Sequence, residues 1–274
     1  MITVTSLTIF PVKSMKALSL QASDVDLIGL KHDRRWLVVD DTDKFQTIRE
    51  DKELAQVKAV PQANGLTLTH PTRGFFTIQT PDSSAESCTV RIWRSEVNAL
   101  RANKDAAVFL SDILGKPLQL VYLADETARQ VNPKFATPSD YVSFADGYPI
   151  SIASESSWQD LRHRTGMDLS MRRFRINITV TGADAWAEDQ WKLIQIGAVK
   201  FRIAKPIGRC IVTTLDPDTG QKTADNEPLA TLSKFHRASD GEIIFGQHLI
   251  PDRTGHISVG DEVKTLATGT TNLL

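Results

Sequence analysis

Cysteine is nearly absent from this chain: its 274 residues hold two, Cys88 and Cys210, far apart and in no CxxC pair. That excludes a disulfide scaffold, and two lone thiols in a chain of this size suit a reducing compartment. Nowhere do eighteen uncharged apolar residues run together, and Met1-Ile2-Thr3-Val4-Thr5 opens without a basic stretch ahead of an apolar core. Neither export nor membrane spanning is expected, and the expected location is cytoplasmic. Charge of one sign is lacking too. With 32 Lys and Arg against 33 Asp and Glu, the net charge is -1, so no bulk attraction draws nucleic acid or anionic lipid. An anion site must be built locally from a few converging cations. The six histidines (His32, His70, His163, His236, His248, His256) contain no i,i+4 pair and none sits at motif distance from a cysteine, which argues against zinc. GxGxxG after a strand, GxxxxGK[ST] and GxSxG are missing, so nucleotide binding and serine hydrolysis have no support. Internal repeats and low-complexity tracts are missing as well.

What is present is ordinary globular material, 41% hydrophobic and 24% charged, enough for one large domain or two smaller ones. From Ile2 to about Leu123 short β segments alternate with turn residues: Trp36 to Val39, Gly65 to Thr69, Phe75 to Ile78, Cys88 to Trp93. This predicts a small barrel or sandwich. One helix interrupts it, with Asn103 as N-cap, apolar Ala106, Ala107, Phe109, Leu110, Ile113 and Leu114 at helical spacing, and Gly115 beyond the last turn. Residues 125–147 have weak periodicity and contain Pro133, Pro138 and Gly147, so they read as a long connection or lid, with a boundary near residue 122. After it come a strand Ile150 to Ala153, a helix capped by Ser154 or Ser156 and ending near Gly166, and strands Phe174 to Val180, Lys192 to Ala204 and Cys210 to Leu215. A short helix over Pro228 to Phe235 and an alternating hairpin-like stretch Gly255 to Val263 close the pattern. The fold class is mainly β with some α, an α+β chain divided into residues 1–122 and 123–271.

Four segments carry chemistry. Gly208-Arg209-Cys210-Ile211-Val212-Thr213-Thr214-Leu215 sets a thiol beside a guanidinium at a strand end, ahead of the turn Asp216-Pro217-Asp218-Thr219-Gly220. Arg209 would favour the thiolate, a donor suited to a soft metal; the alternative is a buried thiol packing as a small hydrophobe. Phe10-Pro11-Val12-Lys13-Ser14 delivers Lys13 and Ser14 past a strand end, where Lys13 could equally be a solvated charge. His32-Asp33-Arg34-Arg35-Trp36 brings two guanidiniums to a strand start, or simply an edge pair with Asp33. In Arg172-Arg173-Phe174-Arg175-Ile176-Asn177, strand alternation would put Arg173, Arg175 and Asn177 on one face. Guanidinium forks grip phosphate in bidentate fashion, so a few of them can hold a phosphorylated cofactor on a neutral chain.

These segments, with Ala187-Glu188-Asp189-Gln190-Trp191 and in this order, resemble the molybdenum-cofactor sulfurase C-terminal (MOSC) family in its subgroup with an N-terminal β-barrel domain; the similarity covers nearly the whole chain. The resemblance implies a molybdenum-pterin cofactor (Mo-molybdopterin) between the two halves and chemistry independent of pyridoxal phosphate. It implies Cys210 as thiolate ligand to molybdenum, with Lys13, Ser14, Arg34, Ser154, Arg175, Asn177 and Arg209 around the cofactor. It implies Asp216 stiffening the loop behind the cysteine, where it is also one candidate for the proton supply. The activity implied is two-electron reduction of N-hydroxylated small molecules (amidoximes, hydroxylamines, N-hydroxylated bases) by removal of their oxygen at molybdenum. Two departures stand out. Ile207-Gly208 precede Arg209 where small hydroxyl residues are common in the family, and no cysteine cluster follows Cys210, so electrons are expected from a separate flavoprotein or iron-sulfur protein. A cofactor carrier and a persulfide sulfur-transfer protein are the alternatives. On this reading Arg34→Ala is expected to lose cofactor while staying folded.

Overall fold

The computed structural model describes residues 1–124 and 128–273. Its largest element is an eight-stranded sheet in the order Leu18–Leu20, Thr3–Ile9, Ile178–Thr181, Ile150–Ser154, Ile244–Pro251, Val199–Gly208, Trp191–Ile196, Val263–Thr268. The last strand comes round to the first: Val263 N donates to Ile2 O at 2.8 Å and Val4 N to Asp261 O at 2.9 Å, which curls the sheet towards a barrel. Its interior is mostly aliphatic, with Leu7, Ile152, Ile178, Ile194 and Leu249 fully buried beside the ring of Phe201. The chain's first strands therefore belong to the C-terminal barrel. Thr3–Ile9 pairs with Ile178–Thr181, and Ala22–Asp26 pairs with Gly255–Ser258, so a boundary near residue 122 follows chain order rather than packing.

The rest of the N-terminal half is antiparallel. Trp36–Val39, Gln119–Tyr122, Ser95–Arg101 and Ser87–Ile92 form one sheet, and Lys58–Gln62, Gly65–His70 and Gly74–Gln79 a second. Helix α1 (Lys104–Leu114) covers them as the sequence predicts: Asn103 accepts from Ala106 N at 3.1 Å, and Gly115 takes the left-handed conformation at φ 68°. Helix α2 (Glu155–Thr165) likewise runs from a Ser154 cap to left-handed Gly166, and α3 (Leu229–Phe235) follows Pro228.

Three stretches predicted as strand or hairpin fold differently. Cys210 to Leu215 is a 3-10 turn over Ile211–Thr214, because the Thr213 hydroxyl donates back to Cys210 O at 3.0 Å and Thr214 to Ile211 O at 2.7 Å; these back-bonds outweigh the β preference of the branched run. Phe174 to Val180 begins as the end of another 3-10 turn, Met171–Phe174, capped by Ser170; Arg175 is left-handed at φ 53°, and the strand starts at Ile178. The arms of Gly255 to Val263 do not pair with each other, since one joins Ala22–Asp26 and the other Trp191–Ile196. Of residues 125–147, 125–127 lie outside the described residues; the rest holds a small ladder, Arg129–Gln130 with Tyr141–Val142, and passes into Phe144 to Asp146 against Lys13.

Candidate functional site

Where the barrel meets the N-terminal half, a cleft is lined by both. Among the described residues six cations line its walls, Lys13, Arg34, Arg49, Arg173, Arg175 and Arg209, against one carboxylate, Asp146; the exposed Cys210 lies among them. Past Phe45, Thr47, Arg49 and Trp93 the cleft opens into a cavity of about 570 Å³ edged by Lys44, Glu50 and Arg91. A larger cavity, about 1020 Å³ beside α1, is elsewhere, and no histidine or cysteine is among the described residues of its wall.

The wall is built under local strain. Ser14, Arg34, Trp93 and Arg175 all line the cleft with positive φ (71°, 51°, 55° and 53°), a conformation that side chains adopt at a cost and that clusters at binding sites. Phe10 is the common support, with the Arg175 guanidinium 4.0 Å from its ring centroid and that of Arg34 4.6 Å away. Arg34 also donates to Asp33 at 2.5 Å, to Asn177 Oδ1 at 3.3 Å and to Arg175 O at 3.2 Å. Asn177 is spent as a brace, its Oδ1 accepting from Ser151 N and Oγ as well and its Nδ2 donating to Thr8 O. Arg34 thus pairs with the buried Asp33 and also lines the cleft.

Lys13 is no solvated charge. It is 7% exposed and donates to Phe144 O at 2.9 Å and Asp146 Oδ1 at 2.7 Å. Burial pulls its ammonium below the usual lysine range, with Asp146 opposing. Enclosure by the walls would raise the Asp146 carboxyl, but Lys13, with the Trp93 indole donating at 2.9 Å, holds it well below the usual range, although its side chain is 67% exposed. Burial draws Arg175 down to about 9, aided by neighbouring Arg34, and draws Arg209 to about 9; both remain cations at neutral pH. Burial, then Arg209 and Lys205, push His248 down to about 3, so its imidazole is neutral.

The thiol's partner is not its sequence neighbour. Arg209 turns its guanidinium inward to Phe174 O at 2.7 Å and Phe245 O at 2.9 and 2.6 Å, while Arg49, from the other half, donates to Cys210 Sγ at 3.2 Å and lies 4.8 Å over the Trp93 ring. Two of the sequence candidates lie off the cleft. Ser154 is fully buried and its hydroxyl caps α2 through Ser157 N at 3.1 Å; Asp216 accepts from Asp218 N, Thr219 N and the Thr219 hydroxyl, which stiffens the turn behind the thiol. Arg49, Trp93, Asp146, Ser151 and His248 are cleft residues that the sequence did not single out. Nothing local marks them, because each is brought in by a loop or strand that is remote in sequence.

Among the described residues no group of three or more His, Cys, Asp or Glu could hold a metal by itself. A metal here would have to bring most of its own ligands and take one sulfur from Cys210. The cleft suits such a group. Arg175 Nη2 and Arg173 Nε in its walls are buried without partners, the kind of unsatisfied donor that marks a missing acceptor. An excess of cations over acids calls for a polyanion. Residues 139–264 match the MOSC domain and residues 1–117 the MOSC N-terminal beta barrel domain. The chain is 31% identical over 281 residues to mitochondrial amidoxime-reducing component 1 of Mus musculus, covering 96% of this chain and 82% of that protein. This chain belongs to the MOSC family. It is also 30% identical to the Homo sapiens component 1 (96% and 83% covered) and 28% identical to the Homo sapiens component 2 (95% and 82% covered). No helix among the described residues is long and apolar enough to cross a membrane.

Proposed function

We propose that this chain is a molybdenum-cofactor-dependent reductase of N-hydroxylated small molecules. The observation that carries the reading is the exposed Cys210 thiol set in a cleft whose described residues include six cations and one carboxylate. A phosphorylated pterin answers that charge, and a soft thiolate suits molybdenum. Lys13, Arg34 and Arg175 would neutralise the phosphate, Cys210 would donate to the metal, and Arg49 would fix the sulfur's direction from the opposite wall. The bound cofactor supplies the two-electron removal of oxygen from the substrate. The cavity beyond Trp93 gives a small substrate its approach. Asp216, tied up in its turn, is assigned to holding the loop rather than to proton transfer. Relatives named amidoxime-reducing components favour N-hydroxylated substrates. Electrons come from a separate flavoprotein or iron-sulfur protein, in a reducing compartment such as the cytoplasm, where both free thiols stay reduced.

Purified from a host that makes the cofactor, the protein is expected to carry about one molybdenum per chain, the stoichiometry of a single thiolate donor. It should reduce benzamidoxime with dithionite or reduced viologen, and Cys210→Ser should end that turnover. Activity that persists in Cys210→Ser overturns the assignment. Full loading without turnover points to a cofactor carrier, and a metal-free protein with a persulfide adduct on Cys210 points to sulfur transfer.

A further inference from the structure

The cleft's charged groups are mostly cations, which can only donate, and among its described polar wall residues His248 is the one imidazole. His248, on strand Ile244–Pro251, is neutral, and its ring is stacked on Tyr148 at 4.4 Å between centroids and 27° between planes. Its Nδ1 is sealed from solvent and has no hydrogen-bond partner. Among the described residues no hydrogen bond reaches its Nε2, and that atom is not among the sealed unpaired ones, which makes it the nitrogen on the cleft side. These two facts select the tautomer. A proton on the sealed Nδ1 would leave a buried N–H unpaired, which folded chains avoid more strictly than an unpaired acceptor. The proton therefore sits on Nε2 and is presented to the cleft. The strand leaves little choice of direction: the preceding residue, Gln247, points the other way and donates to Asp189 at 2.8 Å.

We infer that His248, held flat by Tyr148, is a recognition residue that donates one neutral hydrogen bond from Nε2 to an acceptor, a carbonyl oxygen or ring nitrogen, on the heterocyclic part of the ligand whose phosphate the arginines hold. The inference rests on the cofactor reading above and adds to it a division of the cleft. Lys13, Arg34 and Arg175 meet the charged end, and the His248 and Tyr148 wall meets the uncharged ring.

The test compares wild type, His248→Phe and His248→Gln, each purified from a cofactor-producing host. Bound pterin is measured by the fluorescence of the oxidised, released ring, and its loss is followed during dialysis. His248→Phe keeps a ring against Tyr148 and loses both nitrogens, so it should shed pterin about three- to tenfold faster, as one neutral hydrogen bond predicts. His248→Gln keeps a donor and should restore most of the retention. Thermal melts of the cofactor-free proteins are run alongside, since a merely structural role would lower both variants' melting temperatures without separating their pterin loss. Equal retention in all three proteins overturns the role of His248 and leaves the cofactor reading standing. A wild type that carries no pterin overturns both.

Discussion

At the scale of single residues, Arg34 shows how one guanidinium can serve fold and ligand at once. The Asp33 side chain is 0% exposed, and its two oxygens accept from Phe10 N at 2.7 Å and from Arg34. Arg34→Ala would leave a buried carboxylate short of its cation, which costs about 3–5 kcal/mol. The sequence suggested a variant that stays folded and only loses cofactor. The geometry instead predicts a marked loss of stability in urea denaturation, and the double variant Asp33→Asn/Arg34→Ala should recover part of that stability but not the bound pterin. His236 gives a pH prediction. It is 3% exposed, bonds Asp189 Oδ2 through Nε2 at 2.8 Å and Ile244 O through Nδ1 at 2.7 Å; acceptors on both sides favour the doubly protonated imidazolium. Burial lowers its pKa, but the Asp189 bond and charge outweigh that, so the folded value lies above 6.5. The pair's contribution is then complete below the unfolded value near 6.5 and is lost as pH rises through the folded one. The stability difference between wild type and His236→Gln, measured by denaturation at several pH values, should be largest in acid and shrink towards alkaline pH.

At the scale of elements, helix ends were legible because their signals are local. Asn103 and Gly115 frame α1 where sequence put them, and of the two cap candidates for α2, Ser154 and Ser156, it is Ser154 that caps the helix ending at Gly166. That same clarity settles what Ser154 does in the folded chain. Ser154→Ala should cost about 1 kcal/mol through the lost cap, read as a drop of a few degrees in melting temperature, with pterin retention unchanged. The stretches after Arg172 and Cys210 misled for the same reason, locality. A run of branched residues reads as strand until hydroxyls find carbonyls three residues back, and a capped turn plus one left-handed residue shifts Arg175 out of strand alternation. The three cleft residues Arg173, Arg175 and Asn177 still converge, through a turn rather than a pleat.

At the scale of the whole molecule, the barrel is not a property of the C-terminal half alone. Thr3–Ile9 fills the place between Ile178–Thr181 and the turn before Val263–Thr268, and Ala22–Asp26 backs Gly255–Ser258. A chain of residues 128–273 would expose those edges and the aliphatic interior behind Leu7 and Val25. It should aggregate or lack near-ultraviolet dichroism when expressed alone, and a peptide of residues 1–31 should restore it. Cooperative unfolding of the fragment by itself would refute that interdependence.

The sequence by itself determined the mainly β character, the capped helices α1 and α2, and the neutral overall charge that confines anion binding to a local site, and it singled out Cys210, Lys13, Ser14, Arg34, Arg175 and Asn177 as candidates for it. The first three follow from composition, periodicity and capping signals, which neighbouring residues encode, while the candidate list rests on short motifs and on what the family resemblance implies. Only the tertiary structure decided that Arg49 rather than Arg209 meets the thiol, that Asp146 neutralises Lys13, that Ser154 and Asp216 are spent on helix and turn, and that His248 turns a neutral donor into the cleft. Each of those is a pairing across the chain, fixed by burial and by which hydrogen-bonding groups the packing leaves unmatched; no local pattern carries that information.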